Sequence, residues 1–260
     1  MGLSYSSYLR LDELLALQTP TSDGPEHDEI LFIVIHQVYE LWFKQILHEI
    51  KLLQLAMENG HTPIVAKTLK RVLTILKTLV AQIDILETMT PLSFASLRER
   101  LQTASGFQSI QFRELEFVLG YRRRAIVDAL PEESVARQRL ERLLGRPSVY
   151  DSFLRYLAVL GYPIPRDVLE RDLSGPHQES PAVQESLIEI YGHDPGAWQV
   201  CELMIDLDQG LQEWRYRHGV MVERTIGNKR GAADSDGVAY LKSTLAKALF
   251  PDLWAIRRAL

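Results

Sequence analysis

Leu31-Phe32-Ile33-Val34-Ile35-His36-Gln37-Val38-Tyr39-Glu40-Leu41-Trp42-Phe43-Lys44-Gln45 is the stretch whose reading decides the fold. Its apolar residues recur at three- and four-residue intervals rather than alternating, so it reads as a helix with Phe32, His36, Tyr39 and Phe43 on one face. An imidazole among aromatic rings has two ring nitrogens to satisfy, either by a core carbonyl or by a ligand. The same choice arises at His218, on the face through Leu207, Leu211, Trp214, His218, Met221 and Thr225. An imidazole among large apolar side chains also suits an axial ligand to a flat apolar cofactor, with its neighbours covering the ring.

Outward from that stretch the period stays helical, and no segment alternates as a strand does. The spacing predicts helices near 8–18, 28–58, 63–88, 91–103, 108–119, 133–143, 148–160, 181–191, 195–226 and 238–260, the last broken at Pro251. Polar-cap-plus-proline starts stand at Thr62-Pro63, Thr90-Pro91, Ser180-Pro181 and Asp194-Pro195. Stops are expected at Gly60, Gly106, Gly120, Gly192 and Gly227. Three helices near or above about 25 residues predict an all-α, single-domain bundle of long antiparallel helices spanning 1–260. The Gly- and Pro-rich segment 161–180 is the most linker-like, but the two notable histidines flank it, which keeps the chain one domain.

At 260 residues, 46% hydrophobic and 24% charged, the chain can bury a sizeable core. A net charge of −5 gives no footing for nucleic acid. The run Arg122-Arg123-Arg124 reads as a solvated helix end. A single cysteine, Cys201, excludes an internal disulfide framework, a Cys-rich metal site and, with no CxxCH, covalent heme attachment. The N-terminus lacks a signal-peptide pattern, and charged residues interrupt the apolar stretches before a membrane span is complete. The expectation is a cytoplasmic protein without a membrane. His27, His48, His61, His177 and His193 sit in charged or turn-like surroundings and read as exposed.

On the helix from Pro91, Arg98 shares a face with Phe94, Leu101 and Gln102. A guanidinium there either grips a carboxylate bidentately or packs its stem while its head reaches water. The small residues of Ala104-Ser105-Gly106-Phe107-Gln108-Ser109 permit close approach of a ligand, and the polar stretch from Gly227 to Gly237 can close over a pocket or simply connect elements.

Together, Glu26-His27-Asp28-Glu29, His36 through Gln45, Ala104 through Arg113, and Glu213-Trp214-Arg215-Tyr216-Arg217-His218 resemble the tryptophan 2,3-dioxygenase family over nearly the whole chain. The resemblance implies non-covalent heme b with O2 as co-substrate, an indole amino acid as substrate, and a homotetramer. His218 then matches the axial iron ligand, with Trp214, Met221 and Ser105 beside the cofactor. His36 matches the distal histidine near the indole nitrogen, Phe32 the aromatic packed on the indole, and Arg98 the carboxylate anchor. Phe94, Leu101, Ser105 and Gly106 fall in the same pocket. The N-terminal 1–25 would reach a neighbouring subunit, bringing Tyr5, Tyr8 and Leu9 to its substrate.

The chain departs from the family where the amino-acid end of the substrate is held. The family's Gly-Thr-Gly-Gly-Ser loop is here Gly231-Ala232-Ala233-Asp234-Ser235-Asp236-Gly237, so a substrate-binding threonine hydroxyl is replaced by the methyl of Ala232. Leu97 and Ile83 stand where the family carries phenylalanine and tryptophan, which predicts a roomier pocket. These departures point to a β- or ring-substituted tryptophan, or to insertion of one oxygen to give a 2-oxindole, with ordinary formation of N-formylkynurenine as the alternative. A heme sensor without catalysis is the non-enzymatic reading; retention of Arg98 and Phe32 argues against it.

Overall fold

Residues 2–21, 26–101, 106–227, 241–245 and 247–260 are described by the computed structural model, which is helical with no strand among them. In chain order the helices are α1 (Tyr5–Leu9), α2 (Leu11–Leu15), α3 (Asp28–Glu58), α4 (Thr62–Leu86), α5 (Pro91–Leu101), α6 (Ile110–Val118), α7 (Arg124–Asp128), α8 (Val135–Leu144), α9 (Val149–Val159), α10 (Arg166–Leu169), α11 (Pro181–His193), α12 (Pro195–Ile226) and α13 (Pro251–Ala255).

The three long helices form the frame. A tight turn reverses the chain between α3 and α4, where Gly60 at φ +67° takes the left-handed conformation that a side chain resists. Tyr39 Oη on α3 donates to the Leu79 carbonyl on α4 at 2.7 Å, and Arg71 reaches back to Glu49 at 3.0 Å, as an antiparallel pair requires. The third helix is antiparallel to α3 and lies alongside α4. Gly196 lies by Thr62, Gly210 by Leu76 and Arg217 by Asp84, so α12 runs parallel to α4. The close approach rests on Gly210, where a Cβ would stand 2.8 Å from Leu76 Cδ2. By length and composition α3 could cross a membrane. Its inner face instead packs Ile35, Tyr39, Phe43, Ile46, Ile50 and Leu53 into the core.

Helices on both sides of 161–180 contribute to that core, through Tyr150 and Phe153 of α9 and Val183 and Leu187 of α11. Two buried carboxylates fasten the C-terminal residues. Asp208 accepts from Leu249 N (2.7 Å) and Trp254 Nε1 (2.8 Å), and Asp252 accepts from Tyr150 Oη (2.7 Å) and Ser180 N (2.7 Å).

Some expectations are corrected. The helix foreseen at 8–18 breaks at Arg10, whose φ of 53° ends α1 and opens α2. Pro251 begins α13 rather than interrupting a helix from 238, since a first-turn proline loses no helical hydrogen bond. Gly192 lies inside α11, and Gly106 opens a 3-10 turn, Gly106–Gln108. Arg122 is not solvated: it donates to the carbonyls of Phe117 and Leu144, both at 3.2 Å, and also to those of Leu173 and Arg146. Arg123 pairs with buried Glu116 at 2.7 Å, leaving Arg124 alone of the three exposed. His177 is also interior, with Nε2 2.9 Å from Arg171 Nη2 and 3.2 Å from Asp151 and its ring edge-on to Tyr150. Burial alone would raise the Asp151 carboxyl, but the bonds from His177 and Arg171 hold it well below the usual carboxylate range.

Candidate functional site

On α3 the first turns bring Phe32 and His36 together, with ring centroids 4.1 Å apart, and Phe94 of α5 stands 6.3 Å from Phe32. His36 Nδ1 lies 2.7 Å from the Phe32 carbonyl oxygen. A carbonyl only accepts, so Nδ1 carries the proton and Nε2 presents its lone pair. Nε2 faces Gly106, where an added Cβ would lie 3.9 Å away. Burial lowers the His36 pKa from its ordinary 6.5, against the opposing influence of the Phe32 carbonyl and Glu40. The side chain is therefore a neutral hydrogen-bond acceptor at neutral pH, able to receive an N–H.

The second imidazole sits on α12. His218 stacks on Trp214 at 4.9 Å and 16°, and Trp214 in turn packs against Tyr39, Phe43 and Phe112. Burial pushes His218 down to about 4, reinforced by the charge of Arg113, so the ring is neutral and its lone pair available. His218 Nδ1 and Trp214 Nε1 are both buried with no hydrogen-bond partner among the described residues. Orphaned buried nitrogens are rare and call for an explanation such as a bound group.

No cluster of three or more His, Cys, Asp and Glu side chains among the described residues could hold a bare metal ion. A metal that brings its own equatorial ligands needs only one imidazole from the protein, together with a flat apolar wall. His218 supplies the imidazole and the aromatic cluster of Trp214, Tyr39, Phe43 and Phe112 supplies apolar surroundings, so the residues present fit a heme.

Between α5 and the last turn of α12 lies a cleft of about 570 Å³. Phe94, Arg98 and Glu99 line one side, and Arg224 through Gly227 the other. Leu101 is half-buried at the end of α5, and Met221 is half-buried against the core. Leu97 and Ile83 are each 1% exposed and point into the interior, so the smaller side chains there do not widen this cleft. Tyr5, Tyr8 and Leu9 lie on α1, which packs on α2 and leaves Tyr5 75% and Tyr8 69% exposed, so within one chain they join no site. Ser105, Gly231, Ala232, Asp234 and Asp236 lie outside the described residues.

A charged hub behind Trp214 was not foreseen. Glu116, 2% exposed, accepts from Arg113 (2.8 Å), Arg123 (2.7 Å) and Arg215 (3.2 Å), while Arg123 and Arg215 flank the Tyr121 ring at 4.5 and 4.7 Å. The three-residue spacing of Arg113 and Glu116 was its one sequence signal.

The family model described as tryptophan 2,3-dioxygenase matches residues 1–144 and 187–260. The chain belongs to the tryptophan 2,3-dioxygenase family. The tryptophan 2,3-dioxygenase of Herpetosiphon aurantiacus is 57% identical over 259 residues, covering 98% of each chain. That of Anaeromyxobacter dehalogenans is 54% identical, covering 100% of this chain and 97% of its own. Membership makes the protein an oxygenase of a heme-dependent, O2-using family acting on tryptophan, and the relatives lend no support to the oxindole outcome.

Proposed function

We propose that this chain is a heme b enzyme that adds both atoms of O2 across the indole C2–C3 bond of L-tryptophan to form N-formylkynurenine. The observation that carries the reading is the neutral His36, fixed by the Phe32 carbonyl with Nε2 as acceptor beside an aromatic slot. The identity to relatives named tryptophan 2,3-dioxygenase favours the unsubstituted substrate over the modified one that the loop 231–237 suggested.

His218 would hold the heme iron, with Trp214 stacked on its imidazole. When bound, the heme supplies oxygen activation at iron. The protein's part is to position the indole. Phe32 and Phe94 pack on its ring, His36 Nε2 accepts its N–H, and Arg98 takes the carboxylate. The sensor reading is disfavoured because a sensor has no use for an amino-acid anchor. A single domain, a homotetramer in which residues 1–25 complete a neighbour's pocket, and a cytoplasmic location complete the proposal.

Mass spectrometry under isotopically labelled O2 tests it. L-tryptophan should give N-formylkynurenine carrying two labelled oxygens, and the Soret band should vanish in His218→Ala. A single-oxygen product, or turnover only of substituted tryptophans, would overturn the reading. In the same assay His36→Ala should lower kcat/KM for L-tryptophan about tenfold through loss of the N–H acceptor, with a smaller effect on 1-methyltryptophan, which has no N–H.

A further inference from the structure

We propose that Glu99 binds the substrate's ammonium group and so makes the enzyme selective for α-amino acids over deaminated indoles. The inference rests on the proposed tryptophan site and extends it to the half where this chain's sequence departs from its family. A bound amino acid brings one charge of each sign, and neither can be sheltered from water without a partner. Arg98 answers the carboxylate. The family's threonine hydroxyl is missing, because residue 232 is alanine.

Glu99 follows Arg98 on α5 and lines the same cleft, which Phe94 joins to the slot at Phe32. It has no ion pair or hydrogen bond among the described residues, whereas Arg224 across the cleft is already paired with Glu87 at 3.5 Å. The facing wall is the last turn of α12, ending at Gly227. Carbonyls at a helix C-terminus lack intrahelical partners and carry the negative end of the macrodipole, which adds to the pull of Glu99 on a cation. One cleft thus presents the guanidinium of Arg98 and the carboxylate of Glu99 side by side, with the C-terminal carbonyls of α12 and the Glu87-paired Arg224 opposite.

The test uses the heme-loaded full chain and anaerobic spectral titration with two ligands, L-tryptophan and 3-indolepropionate, which keeps the ring and carboxylate but has no amine. Glu99 is exposed, so Glu99→Gln leaves the packing intact. The substitution should weaken L-tryptophan about fivefold while 3-indolepropionate stays within about twofold. Unchanged L-tryptophan binding, or an equal loss for both ligands, would overturn the assignment. Failure of the wild-type protein to bind or turn over L-tryptophan would instead strike the underlying function, and the two results are read from different samples.

Discussion

Replacing Glu116 with glutamine should be among the most damaging single-atom changes this chain can undergo. The carboxylate is 2% exposed and both oxygens are used: Oε2 by Arg113 at 2.8 Å and Arg123 at 2.7 Å, Oε1 by Arg215 at 3.2 Å. Glutamine keeps the shape but removes the negative charge, and it turns an NH2 toward guanidinium donors that cannot accept. Arg215, itself 2% exposed, then keeps a buried charge whose counter-ion is gone. Breaking one side of a buried ion pair costs about 3–5 kcal/mol, which is a large share of the roughly 5–15 kcal/mol that holds a domain folded. With a urea slope near 3 kcal/mol/M, the unfolding midpoint should fall by about 1 M or more. Glu141→Gln is the internal comparison. Glu141 is 41% exposed and pairs with Arg137 at 3.0 Å, so its loss should cost about 1 kcal/mol or less. Equal midpoint shifts for the two variants would refute the argument that burial of the Glu116 hub, rather than charge pairing as such, sets the cost.

Gly60→Ala should destabilise the chain by about 1–3 kcal/mol in thermal or urea unfolding, because φ is +67° and the new methyl would meet Val159 Cγ1 at 2.9 Å. Adding Val159→Ala should recover the steric part alone; full recovery would mean that the turn bears no strain. For pH, burial holds His36 below 6.5, and the neutral form accepts the substrate N–H, so the acid limb of kcat/KM should have its midpoint below pH 6.5. An acid limb centred above pH 6.5 would show that the ring is not shielded in this way.

The parts legible in the sequence were those written in local periodicity. The three long helices and the aromatic faces around His36 and His218 follow from three- and four-residue spacing, and the starts of α4 and α12 from a proline in the first turn, signals the chain carries within a few turns. What was missed depends on contacts distant in sequence. His177 looked like a turn histidine until Asp151 and Arg171 closed around it, and Arg122 looked like a helix end until carbonyls from 117, 144 and 173 converged on it. The parallel run of α12 along α4 depends on Gly210 meeting Leu76, a pairing across 134 residues that no local pattern encodes. Leu97 and Ile83 are both buried and line no part of the cleft, so residue size alone did not say where the freed space lies.

The rod-like continuity of α12 sets a limit on what the site can accept. His218 and the cleft-lining turn at Arg224–Gly227 belong to one unbroken helix, Pro195–Ile226 and its cap. At about 1.5 Å per residue, the imidazole and the cleft wall are separated by about 9–14 Å of helix that has no hinge. The span between the proposed iron ligand and the α12 wall of the cleft is therefore metered by backbone pitch rather than by a loop that can stretch. In the proposed site, with iron at His218 and the substrate's charges in the cleft, that fixed distance limits how far a substrate's charged end can lie from the iron.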